Sequence, residues 1–193
     1  MTEIALFPLN TVLFPGGRLP LRIFEQRYMD MAKACLRDGA RFGVCLIREG
    51  REVGAPAVPA ETGTLARISA WDMPQLGLLH VTALGEQRFR ILERRVQADG
   101  LAVGSIEILP EENDAAIPGN CVGCVKLLER VIEQQAGLFE PPHRFDSASW
   151  VSARLAEILP LPLPAKQELL ELTDARERIE RLNALLRAPA ERD

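Results

Sequence analysis

The sequence predicts an α+β protein: a β-rich subdomain of barrel-like or sandwich form with one early helix, then a C-terminal helical bundle. Three observations predict it. The first part breaks into short runs of strand-forming residues separated by Gly- and Pro-bearing turns. Residues 110–119 (PEENDAAIPG) are acidic, carry a proline near either end and have no periodicity. From Cys121 onward the apolar residues recur at helical spacing.

Pro8 and Pro15 bracket the first apolar run, so neither a long helix nor a central strand passes through it unbroken. Gly16-Gly17 permits a turn with positive φ, and Leu19, Leu21 and Ile23 resume the alternation of a strand. At Phe24 the period changes: Phe24, Tyr28 and Met31 stand about one helical turn apart, and the helix they predict ends near Asp38-Gly39. Residues 41–48 read as a strand, 50–60 as a loop containing Gly54, Pro56 and Pro59, and 63–71 as a further strand. Residues 76–84 are nearly continuously apolar, as in a strand buried on both faces. Gly85-Glu86 is expected to turn into a strand over 88–96, and 101–109 gives the last one.

The boundary is placed in the acidic stretch, giving a β-subdomain over 1–110, a linker over 110–118 and a helical subdomain over 119–193. Cys121, Val125, Leu128 and Ile132 form the stripe of the first late helix. Asp146 or Ser147 can cap a second, whose apolar face is Val151, Leu155, Ile158 and Leu159. Pro160, Pro162 and Pro164 stop it, and Pro164 suits the first turn of the next. Asp174 and Glu177 have capping-box spacing ahead of Ile179, Leu182, Leu185 and Leu186.

The 193 residues suffice for one well-buried core or two small ones. The net charge of −4 is unevenly placed: residues 1–110 carry 13 Lys/Arg against 12 Asp/Glu, and residues 111–193 carry 10 against 15. Neither part offers the basic field of a nonspecific nucleic-acid binder. No secretory h-region opens the chain and no apolar run approaches roughly eighteen residues, so neither secretion nor a membrane span is expected. Four cysteines in a chain of this length do not make a secreted disulfide scaffold, and a reducing cytoplasm is the expected location.

Chemistry-bearing motifs are sparse. Cys121-Val122-Gly123-Cys124 could begin a zinc or redox site, but no second CxxC or His pair completes it, and both cysteines lie on or beside an apolar stripe. Packing is the preferred reading. His80, inside an apolar run, reads as partly buried and structural, and His143, after Pro141-Pro142, as a loop residue. Lys33, Lys126 and Lys166 neither follow a glycine nor precede a hydroxyl, so there is no Walker A motif. No cofactor or metal is expected.

The opening stretch, with Phe7-Pro8-Leu9, Leu13-Phe14-Pro15-Gly16 and Ile23-Phe24-Glu25-Gln26-Arg27-Tyr28, resembles the Lon N-terminal domain family, the substrate-recognition domain preceding the ATPase and protease parts of Lon proteases. Gly63-Thr64-Leu65-Ala66-Arg67-Ile68 and Gly85-Glu86-Gln87-Arg88-Phe89-Arg90-Ile91 fall where the family carries similar segments. The resemblance covers nearly the whole chain. It implies a PUA-like β-subdomain followed by a helical one, and a free-standing, non-catalytic module that binds unfolded or apolar polypeptide. An ATP-dependent protease is a further expected partner. No segment matches the Ser-Lys dyad of the Lon protease domain.

Two surfaces compete for function. Residues 71–77 join two predicted strands through Trp71, Met73 and Leu76, where the family's hairpin tip is generally more polar. These three are the candidate peptide-binding residues, since large exposed apolar patches usually bind something. The alternative is that the loop folds back and seals an interface with the helical subdomain. The second surface is Arg88, Arg90, Arg94 and Arg95, read as one solvated strand face. Because PUA-like folds also bind RNA, it carries the alternative function, although Glu86 and Glu93 interleave with it. Glu25, Arg27 and Tyr28 read as an ion-paired helix start that ties the helix to the barrel.

Overall fold

The computed structural model describes residues 2–187. They form a mixed α/β chain with a six-stranded sheet and five α-helices, in two compact units that divide between Glu111 and Glu112. The end of the expected helical subdomain, residues 188–193, lies outside the described residues.

The first unit contains β1 (Thr2–Leu9), β2 (Arg18–Ile23), α1 (Gln26–Asp38), β3 (Phe42–Glu49), β4 (Val58–Gln75), β5 (Leu78–Val96) and β6 (Ala102–Ile108). The strands run in the order β2-β5-β4-β3-β1-β6, and β6 also pairs with β5. The pairing therefore closes into a ring, β5-β4-β3-β1-β6, with β2 attached to the first part of β5. Only β1 and β3 are parallel. Long β4 and β5 can serve successive partners because register shifts at Thr64/Ala66, Ile68/Ala70 and Ile91/Glu93 bend them.

Both faces of β1 and β3 are buried, and the period of two sorts their residues. Phe7, Leu9, Phe42 and Val44 join a cluster with Tyr28, Met31, Ala32 and Cys35 of α1, while Ile4, Leu6 and Cys45 join another with Leu65, Phe89 and Ile106. The helical residues are spaced i, i+3, i+4, i+7, which is why α1 forms and lies on the strands. Gly39 ends it in the left-handed region, at φ 65°. Phe24 of the expected helical stripe lies ahead of α1 and is exposed.

Two sequence expectations change. From Leu78 the expected strands 76–84 and 88–96 are parts of one strand, and Gly85 between them is not a turn. It needs glycine because a Cβ would stand 2.5 Å from the Phe14 carbonyl oxygen. Its backbone exchanges hydrogen bonds with the Pro-Gly-Gly segment, Gly16 N–H to Gly85 O and Gly85 N–H to Gly17 O, both 2.8 Å. Residues 71–77 are likewise mostly strand: β4 continues to Gln75, and only Leu76-Gly77 turns, with Gly77 at φ 85°.

The second unit holds a short 3₁₀ turn (Gly119–Cys121), α2 (Val122–Gln134), α3 (Ala148–Ile158), α4 (Leu163–Glu171) and α5 (Ala175–Arg187). Ser147 caps α3 by accepting from the Trp150 N–H at 3.0 Å, and Asp174 caps α5 by accepting from the Arg176 N–H at 2.8 Å. Glu112 and Asp114, from the stretch expected to be a linker, bond within this unit: Glu112 pairs with the buried Arg178, and Asp114 accepts from the Ser147 hydroxyl and the Ser149 N–H. No helix among the described residues is long and apolar enough to cross a membrane.

Candidate functional site: an exposed apolar hairpin tip

Beyond Ile68 the β4 strand of the β4–β5 hairpin leaves the core, while Ala83, Val81 and Leu79 of β5 remain in it. Residues 69–77 are exposed without interruption. Trp71 pairs across the hairpin with Val81, Asp72 with His80 and Gln75 with Leu78. Trp71 is 59% exposed, Met73 39% and Leu76, at the turn itself, 98%. The sequence-predicted trio thus lies on one projecting hairpin of the first unit, with its largest side chains in water. Val81 and Leu79, on the opposing strand, are buried in the cluster beneath α1 and pair with Leu21 and Ile23 of β2, so the β5 side of the hairpin is anchored while the β4 side and the turn are exposed.

A shallow depression of about 540 Å³ adjoins the tip, formed on β2, β5 and β4 by Pro20, Arg22, Ala70, Trp71, Asp72, His80 and Thr82 among others. Arg22, His80 and Asp72 share one cross-strand level. His80 is half-buried, and its Nε2 is enclosed without a hydrogen-bond partner among the described residues. Ala70, Asp72 and Arg22 were not singled out from sequence. The signal that could have found them is the continuation of β4 to Gln75, which period-2 burial cannot reveal where both faces are wet.

The other motif residues serve packing. Arg27, buried to 7% exposure, donates to the carbonyls of Gly54 (2.8 Å) and Gly100 (3.0 Å) and to the Glu25 carboxylate (2.9 Å). Its guanidinium also lies 4.7 Å from the centre of the Tyr28 ring, which stacks on Phe7 at 4.1 Å. Burial raises the Tyr28 phenol above its ordinary range despite the neighbouring Arg27. One expectation fails here: Arg88 is 4% exposed, so the arginines of β5 do not make one solvated face. Arg95 is further engaged by Glu3 at 2.7 Å.

Cys121 and Cys124 are buried free thiols in the second unit. Burial pushes Cys124 up to about 11 and raises Cys121 as well, the opposite of what a thiolate ligand or nucleophile needs. His143 packs among Phe145 and Trp150, with centroids 5.6 and 5.7 Å away, and its Nε2 lies 3.2 Å from the Phe139 carbonyl. A separate cavity of about 290 Å³ lies along α4 and α5, between Leu169, Leu172 and Leu185 and the carboxylates of Glu168, Glu171 and Glu177.

Comparison with known proteins assigns the fold a lineage. Residues 3–188 match the ATP-dependent protease La (LON) substrate-binding domain. The structure superimposes on a Lon N-terminal domain protein from Xanthomonas campestris with a TM-score of 0.81 and 36% identity, covering 98% of this chain and 100% of that one. The N-terminal domain of the Mycobacterium avium complex Lon protease shares the fold at a TM-score of 0.66 and 16% identity, over 97% of this chain and 100% of the other. Lon protease 2 of Myxococcus xanthus is 27% identical over 95% of this chain and 23% of its own length. Protein cereblon of Xenopus tropicalis is 33% identical over 56% of this chain and 24% of its own. The chain therefore spans about a quarter of the length of these curated relatives.

Proposed function

The chain belongs to the ATP-dependent protease La (LON) substrate-binding domain family, and from that membership we propose that it binds unfolded or apolar polypeptide segments without chemistry of its own. The observation that carries this reading is the hairpin tip, where Trp71, Met73 and Leu76 are held in water on an anchored pair of strands. Tryptophan in such a position offers a large contact area at low conformational cost, and methionine adapts to varied neighbours. A client recognised this way is one whose own apolar side chains are uncovered. On this reading the client is handed to a Lon-type ATP-dependent protease in the cytoplasm, and the strand ring is PUA-like in form.

RNA binding is the weaker reading, because buried Arg88 and the Arg95–Glu3 pair break up the basic strip. The test is binding to an array of peptides cut from unfolded proteins, beside a structured RNA, at two salt concentrations. Salt-tolerant binding to apolar peptides, weakened about ten-fold or more by Trp71→Ala and less by Met73→Ala, supports the proposal. RNA binding that collapses with salt would replace it.

A further inference from the structure

Among the described residues, β4 is bonded on one side only between residues 67 and 75. Its partner there is β5, from Arg67 opposite Leu84 to Gln75 opposite Leu78, whereas β3 reaches only Ala66. The other edge presents the N–H and C=O groups of alternate residues to water, and residues 69–75 are all exposed. β2 forms the opposite edge of the same three strands, but Pro20 lies in its middle and has no N–H to offer. On β4 the register shift between Ile68 and Ala70 interrupts the edge at one end, and the shift between Asp72 and Gln75, together with Pro74, does so at the other. What remains open to pairing is the run from Ala70 to Met73.

We propose that this edge, residues 70–73 of β4, takes up an extended segment of a bound polypeptide as an added strand, with a Lys or Arg of that segment facing Asp72. The proposal rests on the reading above and specifies how the client is held. An open strand edge is a template whose alternating donors and acceptors only another extended backbone completes, and Trp71 beside it supplies the apolar contact. Charge selects the occupant. Asp72 is exposed and has no ion-pair partner among the described residues. A second copy of this chain, laid antiparallel across the same four residues, would set each Asp72 opposite a tryptophan and offer that carboxylate no cation. A foreign strand with a cation there gains from the same carboxylate.

The test uses a fluorescein-labelled peptide of alternating Val and Thr with one central Lys, followed by anisotropy on the whole chain. Two backbone variants carry N-methyl groups on alternate amides, one on each side of the strand, and a third peptide has Glu for Lys. Strand addition predicts that one N-methyl set weakens binding about ten-fold or more while the other leaves it unchanged. It also predicts that the Glu peptide binds about three-fold more weakly, and that Asp72→Lys reverses this preference. Equal binding of both methylated forms, with Trp71→Ala still weakening it, would overturn strand addition and leave polypeptide binding standing. No binding by any peptide would overturn both. A concentration-dependent dimer in sedimentation velocity, dissociated by the peptide, would give the edge to a second copy instead.

Discussion

The Phe89 ring lies directly over Gly43: a Cβ built on Gly43 would stand 2.5 Å from the Phe89 Cζ. A Cβ on Gly63, on the next strand, would stand 2.8 Å from the same atom. Two glycines thus make room inside the ring of strands for one fully buried aromatic. Gly43→Ala should cost about 1–3 kcal/mol through overpacking. Gly63→Ala should cost more, since its Cβ would also come within 2.6 Å of the Val44 carbonyl oxygen, which cannot rotate away. Urea unfolding of both variants checks the order.

Arg27 joins three segments far apart in sequence through Gly54, Gly100 and Glu25. Arg27→Met keeps much of the stem and removes the donors, leaving two loop carbonyls and a carboxylate without their partner. A loss of about 2–4 kcal/mol is expected. Arg27→Lys should recover only part of it, because one ammonium cannot reproduce the fork. Thermal unfolding of the pair separates the two contributions.

How much of this was legible in the sequence depended on whether a residue had one physical use or several. Tyr28 and Met31 of the α1 stripe and the caps at Ser147 and Asp174 have essentially one, and each was readable, whereas Phe24, read into the same stripe, lies ahead of the helix in water. Gly85 has two, since glycine serves tight turns and close backbone approach equally, and only the Phe14 carbonyl decides between them. Arg88 and Arg90 alternate as a solvated face would, yet β5 gains a second neighbour in β6 at this point and Arg88 is enclosed. At the tip, the identities of Trp71, Met73 and Leu76 were visible as out-of-place apolar residues. The open edge beside them was not, because which strand lacks a neighbour is a property of the whole sheet.

Asp114 supplies a pH signature. Partial burial pushes its carboxyl up, but hydrogen bonds from Ser147, Ser149 and Ala115, with Arg144 nearby, outweigh this and hold it below the usual carboxylate range. A folded pKa below the unfolded value of about 3.9 means stability that is present at neutral pH and lost as pH falls through the folded value. Asp114→Asn should therefore flatten the acid limb of the stability curve below about pH 4. At neutral pH its cost should stay below about 1 kcal/mol, since the group is partly exposed. Chemical denaturation across pH 3 to 7, on the order of half-unit steps, measures both.

All four cysteines are buried, and burial raises the thiols of Cys35, Cys45, Cys121 and Cys124. A disulfide reagent near pH 8 should label almost none of them in the native protein and all of them in denaturant. Rapid labelling of Cys121 or Cys124 in the native state would contradict a packing role.

The central claim concerns Trp71, one of only two tryptophans. Trp150→Phe leaves it as the sole reporter, exposed and therefore emitting at long wavelength. The decisive measurement is a titration of that variant with reduced, carboxymethylated α-lactalbumin, a chain that cannot refold. The account predicts a saturable blue shift of Trp71 emission as apolar segments cover the tip, persisting from about 0.1 to 0.5 M salt. Binding detected by sedimentation with Trp71 emission unchanged would place the client elsewhere and contradict it.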